Sequence, residues 1–117
     1  MTSEQAAEQA VADFHKKYNA GQLAEIYSAP HSKLKGVTKE QEFLDYLNAP
    51  HQKLGKTTKT SNVGYNVETS DSTTTVVLMQ TTTFERGIGI ETFTFGMDGS
   101  KPMLLDYHIR SKELTSK

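Results

Sequence analysis

The chain has 117 residues, a formal net charge of −1 and a pI near 6.4, which is the size of one domain. A nearly neutral chain lacks the basic field that general nucleic-acid binding requires. The sequence contains no cysteine, which excludes thiol catalysis, disulfides and thiolate metal sites, and it has no apolar run of the length of a transmembrane helix.

The N-terminal part of the chain carries a helical pattern. Residues 3–20 form the first predicted helix, with Ser3 as its N-cap and Gly21 as its C-terminal stop. A short second helix is predicted over residues 22–28, which ends before Pro30. The first helix should bury one stripe of apolar residues, namely Ala7, Val11, Phe14 and Tyr18.

A third helix is predicted over residues 38–49. Thr38, followed three residues later by Gln41, is typical of a capping box. Pro50 removes a backbone donor and disfavours helical geometry in the residue before it, so we expect a break or kink there, with Gly55 as the last stop.

After Gly55 the apolar period changes from that of a helix to that of a strand. Four strands are predicted, over residues 57–69, 73–86, 90–97 and 102–111, with short turns between them. Helices first and consecutive antiparallel strands afterwards define a single α+β domain over residues 1–117. We expect the helices to cover one face of a four-stranded antiparallel meander.

This order of elements resembles the nuclear transport factor 2-like, or cystatin-like, superfamily, and in detail a class of small bacterial domains of unknown function within it. The stretches that carry the resemblance are "NAGQLAEIYSAP", "VTKEQEFLDYLNAPHQKLGK", "TFERGIGIETFTF" and "LLDYHI". The resemblance implies a curved sheet that encloses a cone against the helices. It supplies no catalytic set, because the superfamily contains isomerases, dehydratases, cyclases, adaptors and plain binding modules.

The stretch from residue 81 to residue 95 places two carboxylates near a glycine-rich turn. A loop at Gly87-Ile88 would put Phe84 opposite Glu91 and would leave Glu85 on the other face of the sheet. A loop over 87–89 would instead put the two glutamates directly opposite each other. We favour the first register, because opposed like charges cost up to about 1 kcal/mol and burial of Phe84 is worth about 1.5–3 kcal/mol.

In the favoured register Glu91 shares the helix-facing side of the sheet with phenylalanines and tyrosines. A few polar groups among aromatic side chains are typical of small-ligand clefts. The alternative is an ordinary interior in which these polar groups bond to neighbouring backbone or reach solvent at the rim. The ligand-binding hypothesis names Tyr65, Gln80, Thr82, Glu91, Phe93 and Tyr107.

A metal site or a histidine dyad is the other chemistry to consider. Asp106 and His108 share one face of the last predicted strand and could form a dyad or two metal ligands. The sequence offers no third ligand at metal-ligand spacing. We therefore expect Asp106, His108 and Arg110 to form a solvated outer stripe, and we predict no metal site and no cofactor.

Three functions follow from these patterns. The first is a non-enzymatic domain that binds a small apolar or amphipathic ligand, or a protein partner, in the sheet/helix cleft. The second is an isomerase- or dehydratase-like enzyme with Glu91 as general base and a tyrosine as hydrogen-bond donor. The third is a structural module that forms a homodimer through the outer sheet face, where Val77 and Met79 are exposed among threonines. The sequence itself leaves the compartment open, and the resemblance favours an extracytoplasmic origin, periplasmic or secreted with the leader removed, over a cytoplasmic one.

Overall fold

The structure, a computed structural model, describes residues 2–115 of the chain. The helices are α1 (Ser3–Asn19), α2 (Leu23–Ser28), α3 (Glu40–Leu54) and α4 (Lys112–Thr115), with a 3₁₀ turn at Leu34–Gly36. The strands are β1 (Thr57–Ser70), β2 (Thr73–Phe84), β3 (Gly87–Asp98) and β4 (Lys101–Arg110). The strands form one antiparallel sheet in the order β1-β2-β3-β4, which confirms the predicted α+β meander with N-terminal helices.

The N-cap of helix α1 lies one residue before the predicted one. Thr2, rather than Ser3, is the N-cap: its hydroxyl accepts from the backbone of Gln5, and the Gln5 side chain accepts from the Thr2 backbone. This reciprocal pair satisfies two donors that a helix start leaves free. The predicted apolar stripe is confirmed, since Ala7, Val11, Phe14 and Tyr18 are all buried.

Helix α3 does not follow the predicted limits of 38–49. It begins at Glu40, its N-cap Lys39 makes no side-chain cap bond, and it passes through Pro50 to end at Leu54. A proline inside a helix costs about 3 kcal/mol, and two features offset that cost here. The Pro50 ring is fully buried, and Arg86 caps the helix C-terminus, its guanidinium donating to the carbonyls of Lys53 and Gln52 at 3.0 and 2.5 Å.

The β2–β3 hairpin turns at Glu85 and Arg86, so both registers considered from the sequence are wrong. Phe84 pairs with Gly87 and Gln80 pairs with Glu91. Neither turn residue has a positive φ, and the turn is held from outside. Its two backbone amides donate to carbonyls at the α3–β1 junction, Glu85 to Lys56 and Arg86 to Leu54, both at 2.9 Å.

The glycines of β3 serve close packing instead of forming the turn. A Cβ on Gly87 would lie 2.8 Å from Leu54 Cδ2, and a Cβ on Gly89 would lie 3.2 Å from Ile109 Cδ1. Any larger residue at Gly87 would push the hairpin away from α3. Tertiary packing, and not the local preference of glycine for turns, therefore determines where these glycines lie.

The predicted faces of the sheet survive the error in register. Phe84 pairs with Gly87 where Glu91 was expected, a difference of four residues along β3, and an even shift leaves every side chain on its predicted face. Glu85 and Glu91 are accordingly not partners. Burial alternates strictly along β2 from Val76 to Phe84 and along β3 from Gly89 to Phe95.

Strand β1 is an edge strand that extends beyond the helices. The sequence predicted it as half-buried, but Val63, Tyr65 and Val67 are 58%, 42% and 40% exposed. A register shift between Asn62 and Gly64 bulges the strand at this point, as edge strands commonly do.

Candidate functional site

Glu91 lies in the middle of β3 with its side chain under α1, and it is 1% exposed. Its Oε1 accepts hydrogen bonds from Thr82 Oγ1 at 2.5 Å and lies 2.7 Å from His15 Nε2. Its Oε2 accepts from the Tyr107 hydroxyl at 2.5 Å. Three donors from three elements therefore converge on one buried carboxyl group, and we call Glu91, Thr82, Tyr107 and His15 the Glu91 cluster.

Strand register places two of the donors. Thr82 pairs with Gly89, two residues from Glu91 on the same face of β3, and Tyr107 of β4 pairs with Phe93, two residues away on the other side. Residues two apart along a strand share a face, so both hydroxyls approach the carboxyl from neighbouring strands. The third donor, His15, comes from α1 above the sheet.

Aromatic rings close the cluster off from solvent. Phe14 packs against Tyr107 and Phe93 with ring centroids 4.6 and 5.0 Å apart, and Phe93 lies 5.1 Å from Tyr107. The His15 ring meets Phe93 edge-on at 5.8 Å. A buried carboxyl in such surroundings is stable only when its oxygens find partners, and here each oxygen has at least one.

The environment also acts on two tyrosines. Burial raises the pKa of Tyr107 well above its ordinary value of 10.0, and the adjacent Glu91 raises it further by charge and by hydrogen bonding. Burial likewise raises the pKa of Tyr18, with a contribution from Glu91 and a smaller opposing one from Arg86. Both hydroxyls therefore keep their protons throughout the neutral range, and Tyr107 remains a donor to Glu91.

The six residues of the ligand-binding hypothesis are only partly brought together. Thr82, Glu91, Phe93 and Tyr107 lie in one buried group. Gln80 is also buried, but its amide donates to Asn62 Oδ1 at 2.7 Å and turns away from the carboxyl. Tyr65 shares the helix-facing side of the sheet, opposite Leu78, yet it is exposed at the sheet edge beyond the cluster.

The sequence reasoning missed His15. Its position was open to prediction, because it lies four residues after Val11 and three before Tyr18 and so falls within the buried stripe of α1. A histidine on a buried stripe needs a polar partner. Glu91 was the polar residue on the facing strand.

The histidine and the acid of β4 lie on the opposite side of the sheet from the Glu91 cluster. His108 pairs with Thr92 and Asp106 with Thr94, and both are exposed, as is Arg110. Between residues 2 and 115 no group of three or more His, Asp or Glu side chains is placed to hold a metal ion.

Open space lies on both sides of α1, next to the cluster. The first space, which we call the apolar cleft, has a volume of about 360 Å³ and lies between α1, α2 and the β3–β4 end of the sheet. Its apolar lining includes Ala6, Ala10, Phe14, Ile26, Phe95 and Leu104, and the charged residues Asp13, Lys17 and Lys101 stand at its rim. Phe95 stacks on Phe93 at 6.3 Å, so the cleft borders the cluster without reaching Glu91.

The second space, which we call the polar groove, has a volume of about 370 Å³ and lies between α1 and the start of β1. Its lining includes His15 and Gln80 together with threonines of β1. A third opening of about 490 Å³ lies between α3, β4 and α4 and includes Tyr46 and Ile109. Glu91 lines none of these three spaces.

Chemically, the cluster is a polar anchor that ties α1 to the sheet. Glu91 is out of reach of an incoming molecule in this structure, since it is buried and lines none of the three spaces. The groups that an incoming molecule could touch belong instead to the apolar cleft and the polar groove.

No protein-family model matches the chain, and no curated protein matches it at a significant level. Among residues 2–115, no helix has both the length and the apolar character needed to cross a membrane.

Proposed function

We propose that this chain is a non-enzymatic binding domain that takes a small apolar or amphipathic ligand into the apolar cleft. The observation that supports this proposal is the cleft itself, with a volume of about 360 Å³ and a lining dominated by apolar side chains. Small-molecule sites have volumes of about 300–1,000 Å³ and combine such linings with a few polar groups. The polar groups here stand at the rim.

The rim favours a ligand with an anionic group. Lys17 is ion-paired with Asp13 on the neighbouring turn of α1, so its charge is largely balanced. Lys101 is exposed at the mouth and has no ion-pair partner among the described residues. An apolar body in the cleft with an acidic group near Lys101 would satisfy both parts of the site.

The proposal includes membership of the nuclear transport factor 2-like, or cystatin-like, superfamily and its class of small bacterial domains. What supports it is the element order, three N-terminal helical segments on one face of a four-stranded antiparallel meander. Ligand binding between helices and sheet would suit that architecture, although fold alone does not assign function.

The test is a titration with 1-anilinonaphthalene-8-sulfonate, an aromatic sulfonate whose fluorescence rises in apolar sites. We expect saturable binding to the native chain, and we expect Ala10→Leu, which fills the cleft from α1, to weaken it at least tenfold. Ala24→Leu adds the same side chain to an exposed position of α2 outside the described clefts and should leave binding unchanged. Equal binding by the native chain and both variants would refute the cleft as the site.

A second candidate is the enzyme with Glu91 as general base. The burial of Glu91 beside Tyr107 favours it, because that hypothesis requires an enclosed carboxyl group with a tyrosine hydrogen-bond donor in the same site. The enclosure of Glu91 by three donors weighs against it. A structure of the chain with bound 1-anilinonaphthalene-8-sulfonate separates the two hypotheses. A probe that contacts Glu91 favours the enzyme, and a probe confined to the apolar cleft favours the binding domain.

A homodimer through the outer sheet face stays a prediction, as does an extracytoplasmic origin. The outer face presents Val77, Met79 and Leu105 in partly exposed positions. Sedimentation equilibrium of the native chain against Val77→Lys is the direct test of the dimer, and a monomer at high concentration would contradict it.

A further inference from the structure

The polar groove is a preformed slot with both ends held by hydrogen bonds. At one end Asn62 Nδ2 donates to Glu8 Oε2 at 2.8 Å. At the other end Asn19 Nδ2 donates to Thr57 Oγ1 at 2.8 Å, and the Thr57 amide donates back to Asn19 Oδ1 at 2.9 Å.

The two walls of the slot have equal lengths between these ends. The eleven helical steps from Glu8 to Asn19 span roughly 16 Å, and the five strand steps from Thr57 to Asn62 also span roughly 16 Å. Helix and strand can therefore stay in contact at both ends without strain, while the space between them stays open.

A chain of amides leaves one acceptor in the groove wall without a partner. An ionised Glu8 carboxylate only accepts, so Asn62 must turn its NH₂ towards Glu8 and its oxygen towards Gln80. Gln80 must then turn its own NH₂ towards Asn62. Its Oε1 is left buried with no hydrogen-bond partner among residues 2–115, in a side chain that is only 5% exposed.

Exchanging the nitrogen and oxygen of either side-chain amide does not pair every buried acceptor. If Gln80 were flipped, its oxygen would face the Asn62 oxygen, and if both were flipped, an oxygen would face Glu8. Buried acceptors in proteins are almost always satisfied. The free oxygen at this end of the groove calls for a donor that the described part of the chain does not supply.

Charge is distributed unequally along the slot. The end near Asn62 carries two acceptors, the Glu8 carboxylate and Gln80 Oε1. Lys16 lies eight residues further along α1 on the same wall, roughly 12 Å away along the helix axis. It has no ion-pair partner among the described residues, and Lys59 on the strand wall adds a second positive charge to the lining.

We propose that the polar groove binds a short zwitterionic molecule, specifically an extended peptide of about three residues with free termini. Its ammonium group pairs with Glu8, and the Gln80 side chain turns its buried Oε1 into the groove to accept a hydrogen bond from the same group. Its carboxylate pairs with Lys16, with Lys59 as the second cation of the lining. Three extended residues span roughly 10 Å, which matches the separation of the two charged ends once the Lys16 side chain leans along the slot.

The experiment uses triglycine as the probe and follows the side-chain amide signals of Gln80 and Asn62 by NMR. Triglycine should shift both signals in a saturable way. Glycine is too short to reach both ends, and N-acetyl-triglycine lacks the ammonium group, so each should bind at least tenfold more weakly. Glu8→Gln keeps the acceptor for Asn62 but removes the charge, and it should weaken triglycine about three- to fivefold, as should Lys16→Gln.

Matched controls remove a charge away from the groove. Glu25→Gln on α2 and Lys35→Gln in the 3₁₀ turn are both exposed and line none of the described spaces, so they should bind triglycine like the native chain. Thermal melts of all variants show whether the fold is intact.

Three results would overturn the proposal. The first is the absence of any shift at about 10 mM triglycine, far above the range of a specific weak site. The second is equal binding of triglycine and its acetylated form, or of the native chain and Glu8→Gln. The third is displacement of 1-anilinonaphthalene-8-sulfonate by triglycine, which would move the peptide to the apolar cleft.

Discussion

The two spaces beside α1 share one helix and differ in nearly every chemical property. The apolar cleft meets the face of α1 that carries Ala6, Ala10 and Phe14, and the sheet opposite it offers Phe95. The polar groove meets the face that carries Glu8 and His15, and a threonine-rich strand lies opposite.

The difference arises from where α1 crosses the sheet. On the cleft side the helix lies over the end of β3 and the start of β4, where alternation places Phe95 and Leu104 inward. On the groove side it lies over the edge strand β1, which is mostly exposed and polar. The Glu91 cluster sits between the two spaces and joins α1 to the sheet by His15. One helix can thus line two sites of opposite polarity because its anchor lies between them.

The largest expected effect comes from breaking that anchor. Glu91→Gln would place an amide nitrogen against at least one of the donors Thr82, Tyr107 and His15, so we expect the free energy of unfolding to fall by about 2–4 kcal/mol. Urea unfolding measures it, with the exposed Glu25→Gln as the matched control. Because α1 lines both spaces, binding in the cleft and in the groove should weaken together. A variant as stable as the control would show that the cluster is not the anchor.

High pH should release the same anchor. The pKa of Tyr107 and that of Tyr18 are raised in the folded chain above the unfolded value of 10.0, so above pH 10 the folded state holds protons that the unfolded state has lost. Stability is therefore fully present below pH 10 and decreases as pH rises beyond it, by about 1.4 kcal/mol per pH unit for each tyrosine.

The measurement is the urea midpoint of the native chain and of Tyr107→Phe between pH 8 and 11. The variant lacks one of the two groups, so its stability should decrease less steeply above pH 10. Parallel curves for the two proteins would contradict the role assigned to Tyr107.

A smaller change should separate the two spaces. Asn19→Ala removes both hydrogen bonds to Thr57 and opens one end of the groove, at a cost of about 1 kcal/mol in the free energy of unfolding. We expect triglycine binding to weaken while binding of 1-anilinonaphthalene-8-sulfonate stays unchanged. Asn48→Ala, at an exposed position of α3, is the control, and equal loss of both ligands in Asn19→Ala would contradict the separation.

The smallest effect concerns the rim of the cleft. Lys101→Gln removes an exposed charge near the ligand's acidic group, so the aromatic sulfonate should bind about two- to threefold more weakly. Fluorescence titration at low salt measures the difference, which should shrink at high salt. Triglycine binding should not change, and Lys35→Gln should affect neither ligand.

Much of this arrangement could be predicted from the sequence because it depends on period alone. The alternation that puts Thr82, Glu91 and Phe93 on the buried face follows from side chains two residues apart, and it holds even though the register was wrong by four residues. The stripe of α1 follows in the same way from the helical period, and His15 could have been found on it.

The predictions fail where contacts between residues far apart in the sequence determine the structure. Arg86 and the hairpin amides bond to the end of α3, which moves the turn away from the glycines that local preference favours. The same contacts help α3 continue through Pro50. Tyr65 lies outside the cluster because β1 runs past the helices, and no local pattern marks how far a strand extends beyond its cover.

The attachment of the Glu85-Arg86 turn to α3 changes where this chain can be cut or lengthened. Hairpin tips are ordinarily the places that accept inserted sequence or new termini. Here the tip is hydrogen-bonded to the end of α3 and to its junction with β1, and an inserted residue would break those bonds. The turn at Asp71 and Ser72 is free of such ties: both residues are exposed, and their positive φ angles of 50° and 66° already form a two-residue connection between β1 and β2. A reporter group, a tag or a circularly permuted terminus therefore belongs at residues 71 and 72.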